Sequence, residues 1–373
     1  MSTPKRVLLV GAGHAHLHVA AEAAALRSAG VRTTLIDPGL FWYSGRATGM
    51  LGGQFSAADD QIDPRAVIER AGGEFIAGRV EHIDRVARRV YLANGSTHDY
   101  DWLSINVGSG VNTQAIEGCA DDPTCWPVKP IARLEALHQT LVEAFAAGQT
   151  PSLAVIGGGA TGCEIAANLA GLARRACDAD RKPIIQLLQS GDTLAPALPR
   201  GARERLGSHL IGLGVQVKYN AKVTSREHGA LVLSDGESLD ADHVVLATGL
   251  TAPGWLDGLG LAFDDGLVVD KKLRSIDDDR VFAVGDCARI QGHSLPRLGV
   301  FGVRQAPVLL ANLRAVARGQ PMQHYTPQSK WLSILDLGDG TGLATRGERW
   351  WQGRASAWLK HWLDRRFIER YRV

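Results

Sequence analysis

The sequence lacks the features that mark several protein classes. Its five cysteines form no CxxC pair and show no disulfide spacing, which favours a reducing compartment such as the cytoplasm. No run approaches the roughly 20 apolar residues of a transmembrane helix, and the N-terminal segment has no cleavable signal pattern. Lysine and arginine nearly balance aspartate and glutamate, so the net charge is +2 and nothing favours a nucleic acid as partner. We therefore expect a soluble or membrane-surface protein whose 373 residues can form two domains.

Glycine, by contrast, is abundant, and the first glycine-rich loop reads GAGHAH over 11–16. It follows the apolar run RVLLV and precedes a helix predicted over 14–28, after which the strand VRTTLID ends in Asp37. This order of strand, glycine loop, helix, strand and acid predicts a dinucleotide-binding unit. Gly11 permits the tight turn, Gly13 lets backbone amides approach a pyrophosphate, and Asp37 can accept hydrogen bonds from ribose hydroxyls.

A second glycine loop, GGGATGCE over 157–164, lies 146 residues after the first and follows the apolar run SLAVI. Two further landmarks repeat with an offset of 141 residues: the turns Asn94-Gly95 and Asp235-Gly236, and the strand ends at Gly108 and Gly249. The sequence therefore predicts two copies of one module, each with a hairpin before its last parallel strand.

A later segment returns the chain to the first module. The run VFAVGDCARI over 281–290 predicts a buried strand that ends at Gly285 and Asp286. Gly285 allows a close backbone approach, and the Asp286 carboxylate can accept a hydrogen bond from a ligand hydroxyl.

The ordered motifs resemble the two-dinucleotide-domain flavoproteins of the pyridine nucleotide–disulfide oxidoreductase superfamily. Within it, the chain is similar to relatives of the type II NADH:quinone dehydrogenases known as selenide, water dikinase-associated oxidoreductases. The stretches GAGHAH, INVGS, VKPI, GVFGVRQAPVLLANLRA and WLKHWLDRRF carry that likeness. The resemblance covers essentially the whole chain and implies an α/β fold with two Rossmann-like domains, one for FAD and one for NAD(P)H. The implied parts are an FAD-binding domain (1–118 and 263–325), a connecting segment and helix (119–150), an NAD(P)H-binding domain (151–262), and a C-terminal segment for membrane-surface contact or dimerisation (326–373).

The resemblance also implies the site residues. Those implied for FAD are Gly11, Gly13, His14, Asp37, Val80, Asn106, Gly108, Gly285 and Asp286. Those implied for the nicotinamide nucleotide are Gly157, Gly159, Thr161, Gly162 and Gly249, with Glu164 beside the nicotinamide. Lys129 is a candidate cation at the flavin N1–C2 edge or a surface lysine, and Arg304 and Gln305 either face the flavin dimethylbenzene side or lie at a solvated helix start.

Two positions depart from the usual pattern. His16 stands where the third glycine serves helix–strand packing, so we expect the helix to lie slightly farther from the strand. Gln189 stands where an acid would select NADH, and it supplies neither a carboxylate nor a cation for a 2′-phosphate. The sequence therefore favours NADH and leaves NADPH open.

Cysteine and histidine positions bear on the alternatives. A disulfide reductase is excluded, because the segment FWYSGRATGMLGG contains no cysteine pair. A sulfide:quinone oxidoreductase could use Cys119 and Cys125, but its further thiol late in the chain is absent, since no cysteine follows Cys287. The histidines at 14, 16 and 18 are predicted to be packed or next to the cofactor, so we expect no metal site.

The C-terminal tail combines aromatic and basic residues from Trp350 onward. Trp358 and Trp362 are spaced i, i+4, with Lys360 and Arg366 displaced around the predicted helix. That pattern fits a helix on an anionic membrane surface, or one that docks on this chain or on a second subunit. The predicted function is an FAD-dependent oxidoreductase that takes hydride from NADH and passes electrons to a quinone or similar acceptor. The alternative is a flavin-binding accessory protein of selenium or sulfur metabolism.

Overall fold

The computed structural model describes residues 4–178 and 180–372. The first part of the chain contains β1 (Lys5–Val10), α1 (His14–Ala21), α2 (Ala23–Arg27), β2 (Val31–Asp37), β3 (Phe41–Trp42), α3 (Ala47–Leu51), α4 (Ala57–Asp60), β4 (Gln61–Ile62), α5 (Pro64–Arg70), β5 (Glu74–Ala77), β6 (Val80–Asp84), β7 (Arg89–Leu92), β8 (Thr97–Asp99) and β9 (Trp102–Ile105). The middle part contains β10 (Cys125–Pro127), α6 (Ala132–Ala146), β11 (Leu153–Ile156), α7 (Ala160–Ala176), β12 (Ile185–Leu188), α8 (Arg200–Gly212), β13 (Gln216–Lys218), β14 (Val223–Glu227), β15 (Ala230–Leu233), β16 (Ser238–Asp240) and β17 (His243–Leu246). The last part contains β18 (Leu267–Val269), β19 (Val281–Ala283), β20 (Ala288–Ile290), α9 (Gly299–Arg318), β21 (Leu332–Asp336), β22 (Gly342–Arg346), β23 (Arg349–Gly353) and α10 (Arg354–Tyr371).

The first module is built on a parallel sheet with the strand order β19-β9-β1-β2-β5. Its central strands are apolar and buried on both faces, as a sheet covered by helices requires. Strand β19 joins this sheet from beyond the second module, which confirms that the segment carrying Asp286 returns to the first module.

The first helix is shorter than the sequence predicts. It ends at Ala21, and α2 begins at Ala23, because Glu22 leaves the helical conformation. The Glu22 N–H is shared between the carbonyl oxygens of His18 and Val19, at 3.2 Å from each, which tightens the chain locally. The glycine loop and the start of α1 are unaffected by this break.

The second module repeats the plan with the parallel order β10-β17-β11-β12-β13. Each module also contains a small antiparallel sheet directly before its last predicted strand, β6-β7-β8 in the first and β14-β15-β16 in the second. The internal repeat read from the two turns is therefore present in three dimensions.

The C-terminal segment packs on both modules. Strands β21–β23 form an antiparallel sheet whose Leu335, Leu337 and Leu343 join the core of the second module. Helix α10 places Ile368 and Tyr371 in the core of the first. Across the part of the chain that the structure describes, no helix has both the length and the apolar character needed to span a bilayer. The exact boundaries between the parts stay predictions.

Candidate functional site

The first glycine loop is organised around Asn106, at the end of β9. A Cβ at Gly11 would lie 2.6 Å from the Asn106 carbonyl oxygen, and one at Gly13 would lie 2.5 Å from Asn106 Oδ1. That Oδ1 accepts hydrogen bonds from the N–H groups of Ala15 and His16, at 3.1 and 3.3 Å. Asn106 is buried, so its side chain positions the loop and the start of α1 instead of presenting itself to a ligand.

His16 occupies the position that Gly162 has in the second loop. A Cβ at Gly162 would lie 1.8 Å from the Gly157 carbonyl oxygen, so that helix starts directly against its loop. In the first module the His16 imidazole fills this region: Nδ1 donates to the Gly11 carbonyl oxygen at 2.6 Å, and Nε2 accepts from Ser104 Oγ at 2.8 Å. Burial lowers the pKa of His16 to about 4, so the ring is neutral. The imidazole thus replaces the packing that a third glycine would give.

His14, at the start of α1, packs its ring in an aromatic group. Its ring centroid lies 5.0 Å from that of Phe41, 5.8 Å from Tyr43 and 5.4 Å from Phe367 of α10. Burial lowers the pKa of His14 to about 4, which keeps it neutral beside Asp286. Among the described residues its backbone N–H has no protein acceptor, so this group is free for the predicted diphosphate contact.

Asp37, at the end of β2, closes the same loop. Its Oδ2 accepts from the Ala12 N–H at 2.7 Å and its Oδ1 from the Gly39 N–H at 2.9 Å. Burial raises the pKa of Asp37 despite these bonds. The half-buried Val80 starts β6, whose backbone pairs with Leu92. Both residues lie at the carboxyl-end side of the sheet, where a nucleotide binds in such folds.

Asp286 and Lys129 meet at the other end of this site. Lys129 Nζ lies 2.9 Å from Asp286 Oδ2, and Ser109 Oγ donates to the same oxygen at 2.7 Å. Although burial opposes it, the charge of Lys129 holds the pKa of Asp286 below its usual value. Gln305 of α9 is buried here, and its Oε1 accepts from the Gly285 N–H at 2.7 Å. The Gln305 oxygen therefore holds the strand end, and its predicted contact with the flavin stays a prediction.

The second glycine loop leaves more backbone donors free than the first. Gly157 has a φ of +109° and contacts the Ala247 carbonyl oxygen, and Gly159 caps α7. Within residues 4–178 and 180–372, no protein acceptor bonds to the N–H groups of Gly159, Ala160, Thr161 and Gly162. Such a cluster of donors at a helix N-terminus is suited to an anion. Open space lies beside Gly249, as beside its counterpart Gly108.

Gln189 takes the structural place of Asp37 in the second module. Its Oε1 accepts from the Gly158 N–H at 3.0 Å, as Asp37 accepts from Ala12, and its Nε2 donates to the Thr193 carbonyl oxygen at 2.8 Å. Both ends of the amide are therefore used within the protein.

Glu164, on the second turn of α7, faces the C-terminal segment. Its Oε1 accepts from the Asp336 N–H at 2.7 Å. Burial raises the pKa of Glu164 to about 7, with the Asp336 carboxylate adding to the shift and Lys360 opposing it. Sequence reasoning missed Asp336, because no local pattern connects β21 with α7.

The cysteines do not assemble at this site. Cys119 and Cys125 are buried in the core between the second sheet and β14–β16. Cys125 starts β10, whereas Lys129 follows the end of that strand, so the thiols lie away from Asp286. The neighbouring Cys119 thiol, together with burial, raises the pKa of Cys125. The described residues contain no group of three or more His, Cys, Asp or Glu arranged to hold a metal ion.

The predicted cationic face of α10 needs one correction. Lys360 is buried, and its Nζ donates to Asp364 Oδ2 at 2.9 Å and to the Gly45 carbonyl oxygen. Trp358 and Trp362 do face outward, with 68% and 45% of their surfaces exposed. Lys360 therefore anchors the helix to the first module, because it lies on the face opposite the tryptophans.

The two glycine loops, Asp37 and Gln189 at the strand ends beside them, and the free helix N-terminus fit two dinucleotides. The chain belongs to the pyridine nucleotide-disulphide oxidoreductase family, whose model matches residues 5–312. The predicted α/β fold with Rossmann-like domains is confirmed, and family membership implies FAD and NADH as cofactors. The protein is an oxidoreductase of this family.

Individual relatives differ in activity. A type II NADH:quinone oxidoreductase from Haemophilus influenzae is 26% identical over 336 residues, covering 77% of this chain and 74% of the relative. A rubredoxin-NAD(+) reductase from Alcanivorax borkumensis is 30% identical over 282 residues, covering 72% of this chain and 67% of the relative. The solved sulfide:quinone oxidoreductase of Aquifex aeolicus superimposes with a TM-score of 0.83 at 17% identity, covering 99% of this chain and 91% of that one. The structure of NDH2 from Plasmodium falciparum in complex with NADH superimposes with a TM-score of 0.80 at 16% identity, covering 98% of this chain and 97% of that one. These two structures show the shared fold.

Proposed function

We propose that the protein is an FAD-dependent dehydrogenase that oxidises NADH and passes the electrons to a quinone or a similar small acceptor. The observation that supports it most is the presence of two nucleotide modules with different chemistry at their sites. The first contains the Asp286–Lys129 pair, and the second contains the free amides of its glycine loop and Glu164. The similarity to the Haemophilus influenzae oxidoreductase agrees with this reaction.

The residues of the first site would hold and tune the flavin. FAD, when bound, supplies the hydride and electron chemistry of the reaction. Asp286 Oδ2 is occupied by Lys129 and Ser109, and Oδ1, which has no hydrogen-bond donor in the described residues, would accept from a ribityl hydroxyl. The Lys129 ammonium would lower the energy of the anionic reduced flavin.

The second site favours NADH over NADPH. Gln189 offers no cation to a 2′-phosphate. Lys218, the register partner of Leu188 on the neighbouring strand β13, is paired with Glu237 at 2.5 Å. The exposed Asp192 carboxylate lies three residues beyond Gln189 and would repel a phosphate. We expect a higher kcat/KM with NADH than with NADPH.

The acceptor would be reached at a membrane surface. The exposed Trp350, Trp351, Trp358 and Trp362 lie with several arginines on the C-terminal segment, a combination that suits the interface of an anionic bilayer. We therefore place the protein on the inner face of the cell membrane, in one or two copies. The resemblance to the selenide, water dikinase-associated oxidoreductases connects the proposal to selenium metabolism.

The test is an anaerobic titration of the purified yellow protein with NADH. We expect the flavin absorbance to bleach and to return when a soluble quinone is added. If the flavin absorbance returned with rubredoxin but not with quinone, the acceptor would be a small redox protein, as for the rubredoxin-NAD(+) reductase of Alcanivorax borkumensis. Bleaching by sulfide instead of NADH would favour a sulfide:quinone reaction, and a flavin that NADH leaves oxidised would favour the accessory-protein alternative.

A further inference from the structure

One residue of the C-terminal segment connects all parts of the molecule at the nicotinamide side. Asp336 Oδ1 accepts from Gln54 Nε2 at 2.9 Å and from the Gly338 N–H at 2.8 Å, and Oδ2 lies 3.3 Å from His361 Nε2. The Asp336 carbonyl oxygen accepts from Asn168 Nδ2 at 3.0 Å. Gln54 belongs to the first module, Asn168 to α7 of the second, and His361 to α10. Asp336 is therefore fixed from three directions.

Asp336 is also the direct neighbour of Glu164. Its backbone N–H donates to Glu164 Oε1 at 2.7 Å, so the position of one residue sets that of the other. Only 2% of Asp336 is exposed. Although burial opposes it, the hydrogen bonds from His361 and Gln54 hold the pKa of Asp336 below its usual value, and the carboxylate stays charged at neutral pH.

Two other groups face Glu164 from the elements packed on it. Lys360 of α10 is a buried cation that favours ionisation of Glu164, and the Thr48 hydroxyl of α3 favours it too. Lys360 is itself paired with Asp364. The Asp336 charge acts against both, because a second negative charge on the residue bonded to Glu164 disfavours its ionisation.

We propose that Asp336 is a positioning residue for Glu164, through which the C-terminal segment controls the charge of the acid at the nicotinamide site. The inference rests on the proposed function, because it takes Glu164 as the acid beside the nicotinamide. An ionised Glu164 attracts the cationic ring of NAD+, whereas a neutral one does not. The affinity for NAD+ therefore rises as pH rises through the titration of Glu164.

The experiment measures the Kd of NAD+ for the oxidised holoprotein between pH 5 and pH 9, by quenching of flavin fluorescence. For the wild-type protein we expect tighter binding at high pH, with a midpoint near the Glu164 pKa of about 7. Asp336→Asn removes the neighbouring charge and should move the midpoint to lower pH by about one unit. Asp336→Ser, whose hydroxyl can still accept a hydrogen bond, should give the same shift of the midpoint. It replaces Asp336→Asn in the test if that variant does not fold.

Two control variants separate this inference from general damage. Asp339→Asn removes a carboxylate from the same turn that pairs with His209 instead, and should leave the midpoint unchanged. Glu164→Gln should abolish the pH dependence. An unshifted midpoint in folded Asp336→Asn and Asp336→Ser would overturn the inference alone, whereas a wild-type holoprotein that binds neither NAD+ nor NADH would overturn the proposed function.

Discussion

Asp286 binds the Lys129 ammonium through Oδ2, and in the proposed FAD site its Oδ1 would accept a hydrogen bond from the cofactor. Asp286→Ala removes both and leaves the Lys129 ammonium without its partner, a change that typically costs several kcal/mol for a buried pair. We expect FAD affinity to fall at least about tenfold, which corresponds to roughly 1.4 kcal/mol. The ratio of flavin to protein absorbance after gel filtration measures it.

A neighbouring carboxylate provides the control for this change. Asp265 lines the same cleft and pairs with Arg297 at 2.8 Å, but it is half exposed. Asp265→Ala should keep its flavin. Full flavin content in Asp286→Ala would show that Asp286 is not part of the FAD site.

The residue scale also shows what local sequence reveals about a site. Asp37 and Gln189 end corresponding strands and bond to corresponding amides of their loops, at Ala12 and Gly158. The strand–loop–helix pattern predicts both positions, because each strand-end residue and the loop amide to which it bonds belong to one short strand–loop–helix–strand unit. Asn106 is predicted as a cofactor ligand from its place before Gly108, but its bonds to Ala15 and His16 depend on how β9 meets α1.

At the scale of an element, α10 shows that a periodic pattern has two faces. Its buried residues recur about every fourth position, at Ala357, Lys360, Asp364 and Ile368, and its tryptophans lie on the other side. The Lys360–Asp364 pair binds the helix to the loop at Gly45. The helix is therefore docked on this chain and still presents an aromatic face outward.

That face supplies a prediction about membranes. We expect Trp358→Ser combined with Trp362→Ser to weaken binding to anionic lipid vesicles by at least about tenfold, because each large apolar side chain contributes about 1.5–3 kcal/mol when buried. Vesicle co-sedimentation at low and high salt measures the loss. Trp255→Ser is the control, since Trp255 is 37% exposed and lies outside the C-terminal segment. Equal losses in both proteins, or no binding by the wild type, would refute a membrane role for α10.

At the scale of the whole molecule, the packing of α10 creates a pH-dependent contribution to stability. Asp60 is fully buried, and neither carboxylate oxygen has a partner in the described residues. Burial raises its pKa to about 8, with Arg46 opposing and Asp364 of α10 adding to the shift. Because the folded pKa lies above the unfolded one, the protonated acid stabilises the fold at low pH, and this contribution is lost as pH rises from about 4 towards 8.

Asp60→Asn should remove this dependence. Relative to the wild type, the variant is expected to gain about 3 to 4 kcal/mol more in free energy of unfolding at pH 8 than at pH 5, as measured by urea unfolding. Asp59→Asn is the control, and its effect on stability should have the opposite sign. Hydrogen bonds from Ser56 lower the pKa of Asp59, so loss of the Asp59 carboxylate destabilises the fold at pH 8. A pH-independent difference between Asp60→Asn and the wild type would contradict the prediction.

The sequence by itself determined the two nucleotide modules, their glycine loops, the hairpin in each and the return of the strand before Asp286. These features follow from short stretches in which glycine, apolar runs and strand-end acids are neighbours in the chain. Only the tertiary structure decided that Lys360 is buried, that Cys119 and Cys125 lie in a core, and that Asp336 bonds to Glu164. Helical periodicity says which residues share a face but not which face meets the core, and contacts between distant segments depend on how the modules pack.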